Sequence, residues 1–424
     1  MRIFLRLLAL SPTLLAAACA TDGSSAALHP AAPASATASR PSEDDLKFSA
    51  FIHDFRTTAL ASGIQAETYD RSMSGIARNS RVQDLNLRQP EFAKPVWEYL
   101  DGAISPLRMS DGQTKLADNA TMLANLESLY GVPKQILVAI WGIETNYGAQ
   151  MGSFNMFEAL ATLGYDGPRT ELGRRELIAA MRLEGAEHLD PRTMTSSWAG
   201  AFGETQFMPS TFLRHAVDAD GDGRKDLWHS PADALASTAA MLREDGWQPG
   251  KTWGYEVRLP ANFPYAEADA DNIEPLDHWR ALGVKTAFGE DLPAGSDGGA
   301  IFLPTGAHGP AFLVFTNFKV ILRYNNATSY ALAVAILADR IVGKAGVLAA
   351  WPREEPPLSR DDRMAFQRDL QQLGFDPGAI DGLLGPKVRK ALRAYQSARG
   401  LVPDGFATQE LLQRMEREIA AKAE

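Results

Sequence analysis

Apolar residues recur through the first half of the chain with the spacing of amphipathic helices. The pattern begins near residue 45 and stays helical to about residue 130. A turn at Gly131 with Pro133 then opens a further helix, since proline is tolerated in the first helical turn. Helices are predicted to continue to Gly246.

A different pattern occupies residues 247–318, where glycine, proline, aromatic and β-branched residues become frequent. Short apolar runs at residues 255–259 and 312–315 have the composition of strands and predict a small strand-containing insertion. A helical pattern returns over residues 318–351. Charged residues follow its apolar stretch at once, which predicts a core helix rather than a membrane span.

A linker precedes the last part of the chain, because residues 351–357 are rich in proline and charged side chains. Beyond it, residues 358–424 carry three apolar clusters and predict a compact unit of three helices. We therefore expect a mainly α (α+β) protein. A helical domain at residues 43–351 contains the strand insertion, and a three-helix module follows at residues 358–424.

The N-terminus has the features of a secretory signal. Arg2 and Arg6 accompany a short apolar run at residues 7–15, and small residues lead to Cys19. This pattern predicts a signal peptide over residues 1–18. It also resembles a bacterial lipobox, which implies that Cys19 is lipidated and becomes the new N-terminus. The alternative is a chance cysteine within a signal peptide.

The residues after this cysteine predict an anchored protein on a flexible tether. Residues 19–42 are mostly alanine, serine, threonine and proline and are too poor in large apolar side chains to fold. Ala20, rather than aspartate, is typical of outer-membrane lipoproteins, so we expect an outer-membrane protein facing the periplasm. Cys19 is the only cysteine, so the folded part has no disulfide and no thiol chemistry.

Composition and charge narrow the range of partners. Apolar residues make up 45% and charged residues 22%, the balance of an ordinary globular protein with a sizeable core. The formal net charge is −10, without a basic block, which argues against a nucleic-acid partner. An acidic protein also has no general attraction for anionic lipid, so any membrane attachment must be specific.

One carboxylate stands out in an apolar helix. Residues 136–147 read ILVAIWGIETNY, apolar nearly all round, with Glu144 near the end. Burial without a cationic neighbour raises the pKa of a carboxyl, which suits a general acid. The alternative is a structural glutamate with a distant partner. The polar residues that follow favour a helix that ends at an open cleft.

This segment and three others resemble the membrane-bound lytic murein transglycosylase B family. IETNYG at residues 143–148, SWAGAFGETQFMPS at 197–210, an aspartate-rich loop at 218–226 and RYNNATSY at 323–330 occur in that family's order and spacing. The likeness covers roughly residues 45–350. It implies a lysozyme-like helical fold with an inserted strand region, and a single catalytic glutamate at Glu144.

The resemblance also implies which residues contact the glycan. The segment at residues 197–210, with its small residues, aromatics and amide, is suited to stacking on sugar rings, although alone it could equally be a tight turn. The contacts implied by the family motifs are Ser197, Gln206, Phe207, Tyr324, Asn325 and Tyr330. Glu204 and Thr205 stand where some members have tyrosine and glycine, which leaves a catalytic role for Glu204 open.

The implied reaction cleaves the β-1,4 bond between N-acetylmuramic acid and N-acetylglucosamine of peptidoglycan without water. Glu144 would act first as the acid and then as the base that closes a 1,6-anhydro ring. Two alternatives remain: a muramidase-type hydrolase, which would use water and a second carboxyl group, and a non-enzymatic lipoprotein that binds the cell wall.

An aspartate-rich loop predicts a calcium site. Residues 218–226 match D-x-D-x-D-G, the first half of an EF-hand loop. The pattern predicts four oxygen ligands: Asp218, Asp220, Asp222 and the backbone carbonyl of Arg224. His229 stands where an EF-hand has its glutamate, and the resemblance implies that Asp233 supplies this ligand. The alternative is a solvated acidic turn. The Ca²⁺ is expected to be structural, and no organic cofactor is expected.

The C-terminal unit resembles the peptidoglycan-binding domain 1 family, a three-helix module. The matching residues include LGF at 373–375, GAIDG at 378–382, YQ at 395–396 and DG at 404–405. The likeness implies that peptidoglycan glycan strands are the partner of this module as well. A generic small helical domain is the alternative.

Overall fold

Short helices form the N-terminal part of the fold. The computed structural model describes residues 42–88 and 94–423. The helices of this part are α1 (Glu43–Ala61), α2 (Ala66–Ser72), α3 (Ser80–Arg88), α4 (Val96–Ala103), α5 (Pro106–Asp118) and α6 (Ala120–Tyr130). Local signals set some of the ends: the Ser105 hydroxyl accepts the N–H of Arg108 at the start of α5, and Pro106 occupies its first turn.

The next elements surround a buried helix, α7 (Lys134–Thr145), whose residues from Ile136 to Gly142 are all buried. They are β1 (Phe154–Asn155), α8 (Met156–Tyr165), α9 (Thr170–Glu187), β2 (Thr195–Ser196), α10 (Pro209–His215) and α11 (Pro231–Glu244). Strands β1 and β2 pair antiparallel. The sequence did not predict this pair, because two residues are too few to show an alternating pattern.

The predicted insertion is an antiparallel sheet with one helix. Its elements are β3 (Gly254–Arg258), β4 (Glu274–Pro275), α12 (Leu276–Ala281), β5 (Lys285–Thr286), β6 (Gly298–Phe302) and β7 (Ala311–Val314). The strand order is β4-β6-β7-β3-β5. Trp279, Ile301 and Leu313 are fully buried and form the centre of its own apolar core. The strand character of residues 247–318 is thus present where the composition indicated it.

Two helices, rather than one, follow the sheet: α13 (Thr316–Tyr324) and α14 (Thr328–Ile341). The predicted helix over residues 318–351 is wrong in two respects, since it is broken between them and ends at Ile341. Asn325 has an extended backbone at the break, in keeping with the preference of asparagine for helix ends. Helix α14 packs against α7, α4 and α5 and is fully buried over residues 331–335.

The C-terminal module consists of α15 (Arg360–Gln372), α16 (Pro386–Ala398) and α17 (Gln409–Ala423). A capping box between Ser359 and Asp362 starts α15. The module has a separate apolar core, whose most deeply buried side chains are Phe366, Leu370, Leu392, Tyr395 and Met415.

Polar contacts join this module to the larger helical part, and residues 43–424 form one compact unit. The carboxylate of Asp404 accepts the N–H of Ala307 at 2.9 Å. Arg393 forms an ion pair with Asp269. These contacts fix the module beside the strand insertion.

The predicted signal peptide (1–18), the tether (19–42, apart from Ser42) and Cys19 lie outside the described residues. Among the residues that are described, no helix has both the length and the apolar character needed to cross a membrane.

Candidate active site

Glu144 lies in the last turn of α7, where the chain reverses sharply. Asn146 and Tyr147 both adopt left-handed backbone conformations, with φ of 51° and 60°. The Tyr147 ring lies where side chains at Gly112 and Gly142 would be, since a Cβ at either glycine would come within 2.5 Å and 2.6 Å of it. Close packing of this ring therefore holds the turn that ends the helix beside Glu144.

One tyrosine from α14 holds the Glu144 carboxyl. The hydroxyl of Tyr330 donates to Oε1 of Glu144 at 2.6 Å. Burial raises the pKa of Glu144 to about 7, and the hydrogen bond from Tyr330 lowers it in part. No cation among the described residues contributes to this shift. A carboxyl with such a pKa holds a proton for part of the time at neutral pH, as a general acid requires.

Two more tyrosines lie near enough to Glu144 to be affected by its charge. Burial first, and then the charge of Glu144, raise the pKa of Tyr99 to about 12. The same two causes raise the pKa of Tyr324 above its usual value. The rings of Tyr324 and Tyr330 are parallel, with centroids 6.4 Å apart. The catalytic carboxyl predicted from the sequence thus lies among three phenol groups.

The second motif folds into a closed loop beside α7. Phe202 and Phe207 are bridged by backbone hydrogen bonds of 2.9 Å in both directions. Between them, Gln206 adopts a left-handed φ of 54°. Its side-chain amide donates to the carbonyl oxygens of Gly203 at 3.0 Å and Met151 at 3.2 Å. These bonds fix the orientation of the Gln206 side chain and use only its amino group.

The other residues expected to contact the glycan differ in exposure. Ser197 is partly exposed, and Asn325 is exposed between α13 and α14. Phe207, with 2% of its surface exposed, packs against Tyr324 with ring centroids 6.1 Å apart. Tyr330 is 3% exposed. Phe207 and Tyr330 therefore support the site from within and offer little surface to a sugar.

Glu204 provides a second carboxyl group in the region. It is 7% exposed, and its Oε2 accepts a hydrogen bond from the indole nitrogen of Trp141 at 2.5 Å. Burial raises the pKa of Glu204, whereas the bond from Trp141 and the charges of Lys115 and His229 lower it. This carboxyl is engaged with the helix that carries Glu144.

The aspartate-rich loop brings three carboxylates together before α11. Oxygen atoms of Asp218, Asp220 and Asp222 lie within 4.8 Å of one another. Arg224 follows in the same exposed turn, and its N–H donates to Asp222 at 2.8 Å. Carboxylate oxygens spaced in this way fit a hard divalent cation such as Ca²⁺.

Asp233, the further ligand implied by the resemblance, is not one of these three clustered carboxylates. It is 1% exposed in the first turn of α11. One of its oxygens accepts the N–H of Ala219 at 2.7 Å, and the other accepts the N–H of Asp226 at 2.9 Å. Asp233 therefore ties together the two ends of the loop, because both of its oxygens already hold backbone groups.

Neither Tyr99 nor Trp141 was predicted from the sequence to belong to the site. Tyr99 comes from α4, in a stretch whose apolar spacing is that of an ordinary helix, so nothing local indicated a site. Trp141 belongs to the same apolar run as Glu144, where a core position was the simpler interpretation. One signal was available for Trp141. A tryptophan in a fully buried helix needs a hydrogen-bond acceptor for its indole N–H, so a polar partner nearby could have been expected.

Comparison with known proteins identifies relatives of both parts of the chain. A sequence profile described as transglycosylase SLT domain matches residues 47–339, and one described as putative peptidoglycan binding domain matches residues 359–415. The membrane-bound lytic murein transglycosylase B of Escherichia coli (strain K12) is 31% identical over 267 residues. That alignment covers 62% of this chain and 72% of the relative.

Solved structures agree in fold. SltB3 from Pseudomonas aeruginosa, in complex with NAG-anhNAM-pentapeptide, is 46% identical, with a TM-score of 0.84 over 87% of this chain and 99% of that one. The Escherichia coli lytic transglycosylase Slt35 in complex with calcium is 27% identical, with a TM-score of 0.60 over 70% of this chain and 93% of that one. The predicted resemblance and the mainly α, lysozyme-like fold class are confirmed.

Proposed function

Since the chain belongs to the transglycosylase SLT family and is a lytic transglycosylase that acts on peptidoglycan, we propose that Glu144 alone serves as its acid and its base. The observation that supports this most is the environment of the Glu144 carboxyl. It is partly buried, this burial raises its pKa to about 7, and its hydrogen-bond partner is a tyrosine rather than a cation or a second carboxylate.

The reaction begins with proton transfer from Glu144 to the glycosidic oxygen between N-acetylmuramic acid and N-acetylglucosamine. The bond from this oxygen to C1 of the muramyl residue breaks, and positive charge develops at C1. Glu144, now ionised, takes the proton of the C6 hydroxyl of the same sugar. The C6 oxygen bonds to C1, which gives a 1,6-anhydro end. No water is consumed, and Glu144 recovers its proton.

Residues around Glu144 divide between positioning the carboxyl and binding the glycan. Ser197, Gln206 and Asn325 offer polar groups at partly or fully exposed positions suited to sugar hydroxyls and acetamides. Tyr330 orients the Glu144 carboxyl by its hydrogen bond. Phe207 packs edge-on against the ring of Tyr324 and acts through that ring. This division refines the sequence-based expectation that all of these residues touch the substrate.

Mass spectrometry of digested cell-wall sacculi tests this function. A transglycosylase releases 1,6-anhydro products, each one water lighter than the product of hydrolysis. We expect anhydro products from the native protein and none above background from Glu144→Gln, because general acid–base assistance contributes about 10²–10⁴ in rate. Reducing-end products would support the hydrolase instead. Binding without cleavage by the native protein would support a non-enzymatic wall-binding role.

We further propose that Asp218, Asp220, Asp222 and the carbonyl oxygen of Arg224 bind Ca²⁺. The clustering of the three carboxylates supports this site, and the related Slt35 has been solved in complex with calcium. Asp233 contributes by closing the base of the loop through backbone hydrogen bonds. Bound Ca²⁺ would neutralise the carboxylates and stabilise the turn before α11.

We propose the location from the sequence and from one relative. Cys19 after an apolar signal supports a lipid anchor in the outer membrane, with the enzyme facing the periplasm. The name of the Escherichia coli relative describes that protein as membrane-bound. The domain boundaries at residues 43–351 and 358–424 remain our proposal. The C-terminal module would then hold the enzyme on peptidoglycan glycan strands.

A further inference from the structure

The peptide segment Glu204–Thr205 touches Glu144's surroundings at three points. The Glu204 carboxylate accepts the indole N–H of Trp141 at 2.5 Å. The Glu204 carbonyl oxygen accepts the hydroxyl of Thr145 at 2.6 Å. The Thr205 carbonyl oxygen accepts the hydroxyl of Tyr324 at 2.5 Å. Each of these three acceptors therefore binds a residue that flanks the catalytic carboxyl.

These three partners lie on two sides of Glu144. Trp141 and Thr145 belong to α7, one turn before Glu144 and one residue after it, so they fix the helix that carries the carboxyl. Tyr324 belongs to α13 and lies parallel to Tyr330, whose hydroxyl binds the carboxyl itself. A single segment thus connects the backbone of the catalytic residue with the tyrosines that face its side chain.

The segment is itself firmly held. The N–H of Glu204 donates to the carbonyl oxygen of Leu227 at 2.8 Å. Gly203 allows this approach, because a Cβ there would lie 2.5 Å from the same carbonyl oxygen and the glycine has a φ of 74°. The side chain of Thr205 is fully buried. Because the segment Glu204–Thr205 is held in this way, it can fix the positions of α7 and Tyr324.

The Glu204 side chain has little space in which to move away from Trp141. A Cβ at Gly148 would lie 2.4 Å from Oε2 of Glu204, so the carboxylate is confined between this turn and Trp141. The Lys115 ammonium lies over the Trp141 ring, 5.1 Å from its centroid. The Trp141 side chain is therefore held by a hydrogen bond from its N–H to Glu204 and by a cation–π contact with Lys115.

We propose that Glu204 is a positioning residue, which holds α7 through Trp141 so that the Glu144 carboxyl meets the glycosidic oxygen, and that it is not a second catalytic carboxyl group. This inference rests on the proposed role of Glu144. Its physical basis is that a displacement of about 1 Å at a reacting group costs on the order of a hundredfold in rate. What Glu204 supplies is an acceptor for the indole N–H, not a charge or a proton.

The experiment compares Glu204→Ala, Glu204→Gln and Trp141→Phe on a soluble glycan of defined length. Glu204→Ala should lower kcat by about tenfold to a hundredfold, the larger loss corresponding to a displacement of about 1 Å. KM should stay nearly unchanged, because the glycan-binding groups stay in place. Glu204→Gln should restore kcat to within about threefold of native, since an amide oxygen also accepts a hydrogen bond. Trp141→Phe should match Glu204→Ala, and the double variant should show no further loss, because both changes remove one interaction.

Glu184→Ala is the control for a merely structural loss. Glu184 is 1% exposed and pairs with Arg71, at 2.6 Å, on another part of the molecule. Both alanine variants should lower the melting temperature, but only Glu204→Ala should lower kcat per folded molecule. An unchanged kcat in folded Glu204→Ala would overturn the proposal. So would a Glu204→Gln protein as impaired as Glu204→Ala, because the charge would then matter. Activity in Glu144→Gln would instead refute the proposed function.

Discussion

The hydroxyl of Tyr330 donates to Oε1 of Glu144 at 2.6 Å, a contact between residues 186 positions apart in the chain. It opposes the main effect on this carboxyl, because burial raises the pKa of Glu144 and this hydrogen bond lowers it. Tyr330 is itself almost completely buried, so its hydroxyl has a fixed direction. The pair therefore sets both the orientation and the protonation of the acid.

Replacing Tyr330 by phenylalanine should shift the pH profile. A hydrogen bond to the charged form of Glu144 lowers its pKa, so losing this bond should raise the pKa above about 7. The acid must be protonated at the start of the reaction, so the alkaline limb of kcat/KM should move to higher pH, by on the order of one unit. Initial rates measured over about four pH units centred near pH 7 would detect this shift of the alkaline limb.

Tyr69→Phe is the matched control for that measurement. Tyr69 is also 3% exposed, and its hydroxyl donates to the carbonyl oxygen of Ile52 instead of to a carboxylate. Its removal should leave the limb in place. A Tyr330→Phe protein with the native pH profile would show that the hydroxyl does not control the ionisation of Glu144.

The raised pKa of Glu144 also predicts how stability depends on pH. The carboxyl has a pKa of about 7 in the folded protein and an ordinary value of 4.5 when exposed. The folded state therefore favours the neutral form. This advantage is fully present below pH 4.5 and is lost as pH rises towards 7, by about 3 kcal/mol. Glu144→Gln cannot ionise, so it should gain in free energy of unfolding over the native protein across this interval.

Urea unfolding of both proteins at several pH values measures this difference. The gap should widen between pH 4.5 and about 7 and stay constant above that. A gap between Glu144→Gln and native protein that does not vary with pH would mean that the Glu144 carboxyl is not desolvated in solution.

Features that depend on neighbouring residues could be predicted from the sequence, whereas contacts between residues far apart in the chain could not. The apolar spacing around Glu144 predicted a buried helix, and the helix has that burial. The break at Asn325 and the paired strands β1 and β2 escaped prediction, since two or three residues carry no period. The bond between Trp141 and Glu204 joins residues 63 positions apart. Such a contact is created by packing, so local patterns could not reveal it.

The aspartate-rich loop shows the same limit. The alternation of Asp218, Asp220 and Asp222 predicted their clustering, because alternate positions of a tight turn face one side. The bonding of Asp233 could not be predicted in this way. Its oxygens meet N–H groups at both ends of the loop only because α11 folds back against it.

Calcium should stabilise the catalytic part of the protein. Binding to the folded state alone adds about 3 kcal/mol at a hundredfold excess of Ca²⁺ over its dissociation constant. A chelator should therefore lower the melting temperature, and the double variant Asp220→Ala with Asp222→Ala should no longer respond to it. Identical melting curves of the native protein with and without chelator would exclude a stabilising calcium site.

Lipidation is tested by the single cysteine. If Cys19 carries acyl chains, Cys19→Ser should release an active protein into the periplasmic fraction, because stable membrane attachment requires those chains. Cell fractionation with an assay of sacculus digestion measures location and activity together. Continued recovery of Cys19→Ser with the outer membrane would point to another means of attachment.

The C-terminal module should raise affinity for the cell wall without taking part in cleavage. Its core is separate from that of the catalytic part, and the two parts are joined by contacts such as Asp404 with Ala307 and Arg393 with Asp269. Deleting residues 358–424 returns Asp269 and the N–H of Ala307 to water. Binding to sacculi should weaken about tenfold or more, because the module keeps the enzyme close to its substrate. Turnover of short soluble glycans should stay within about twofold of native.

A second variant separates docking of the module from its presence. Arg393→Ala with Asp269→Ala removes the ion pair between the module and the insertion. It leaves intact the bonds that Asp404 accepts from Gln396 and Phe406 within the module, and the module stays attached through the linker. If attachment alone matters, this variant should bind sacculi about as well as the native protein, and only the deletion should lose affinity. A variant as weak as the deletion would mean that the docked arrangement forms the binding surface.

Loss of activity on short glycans in the deletion would mean that the module completes the active site, and the domain boundary proposed at residue 358 would be wrong.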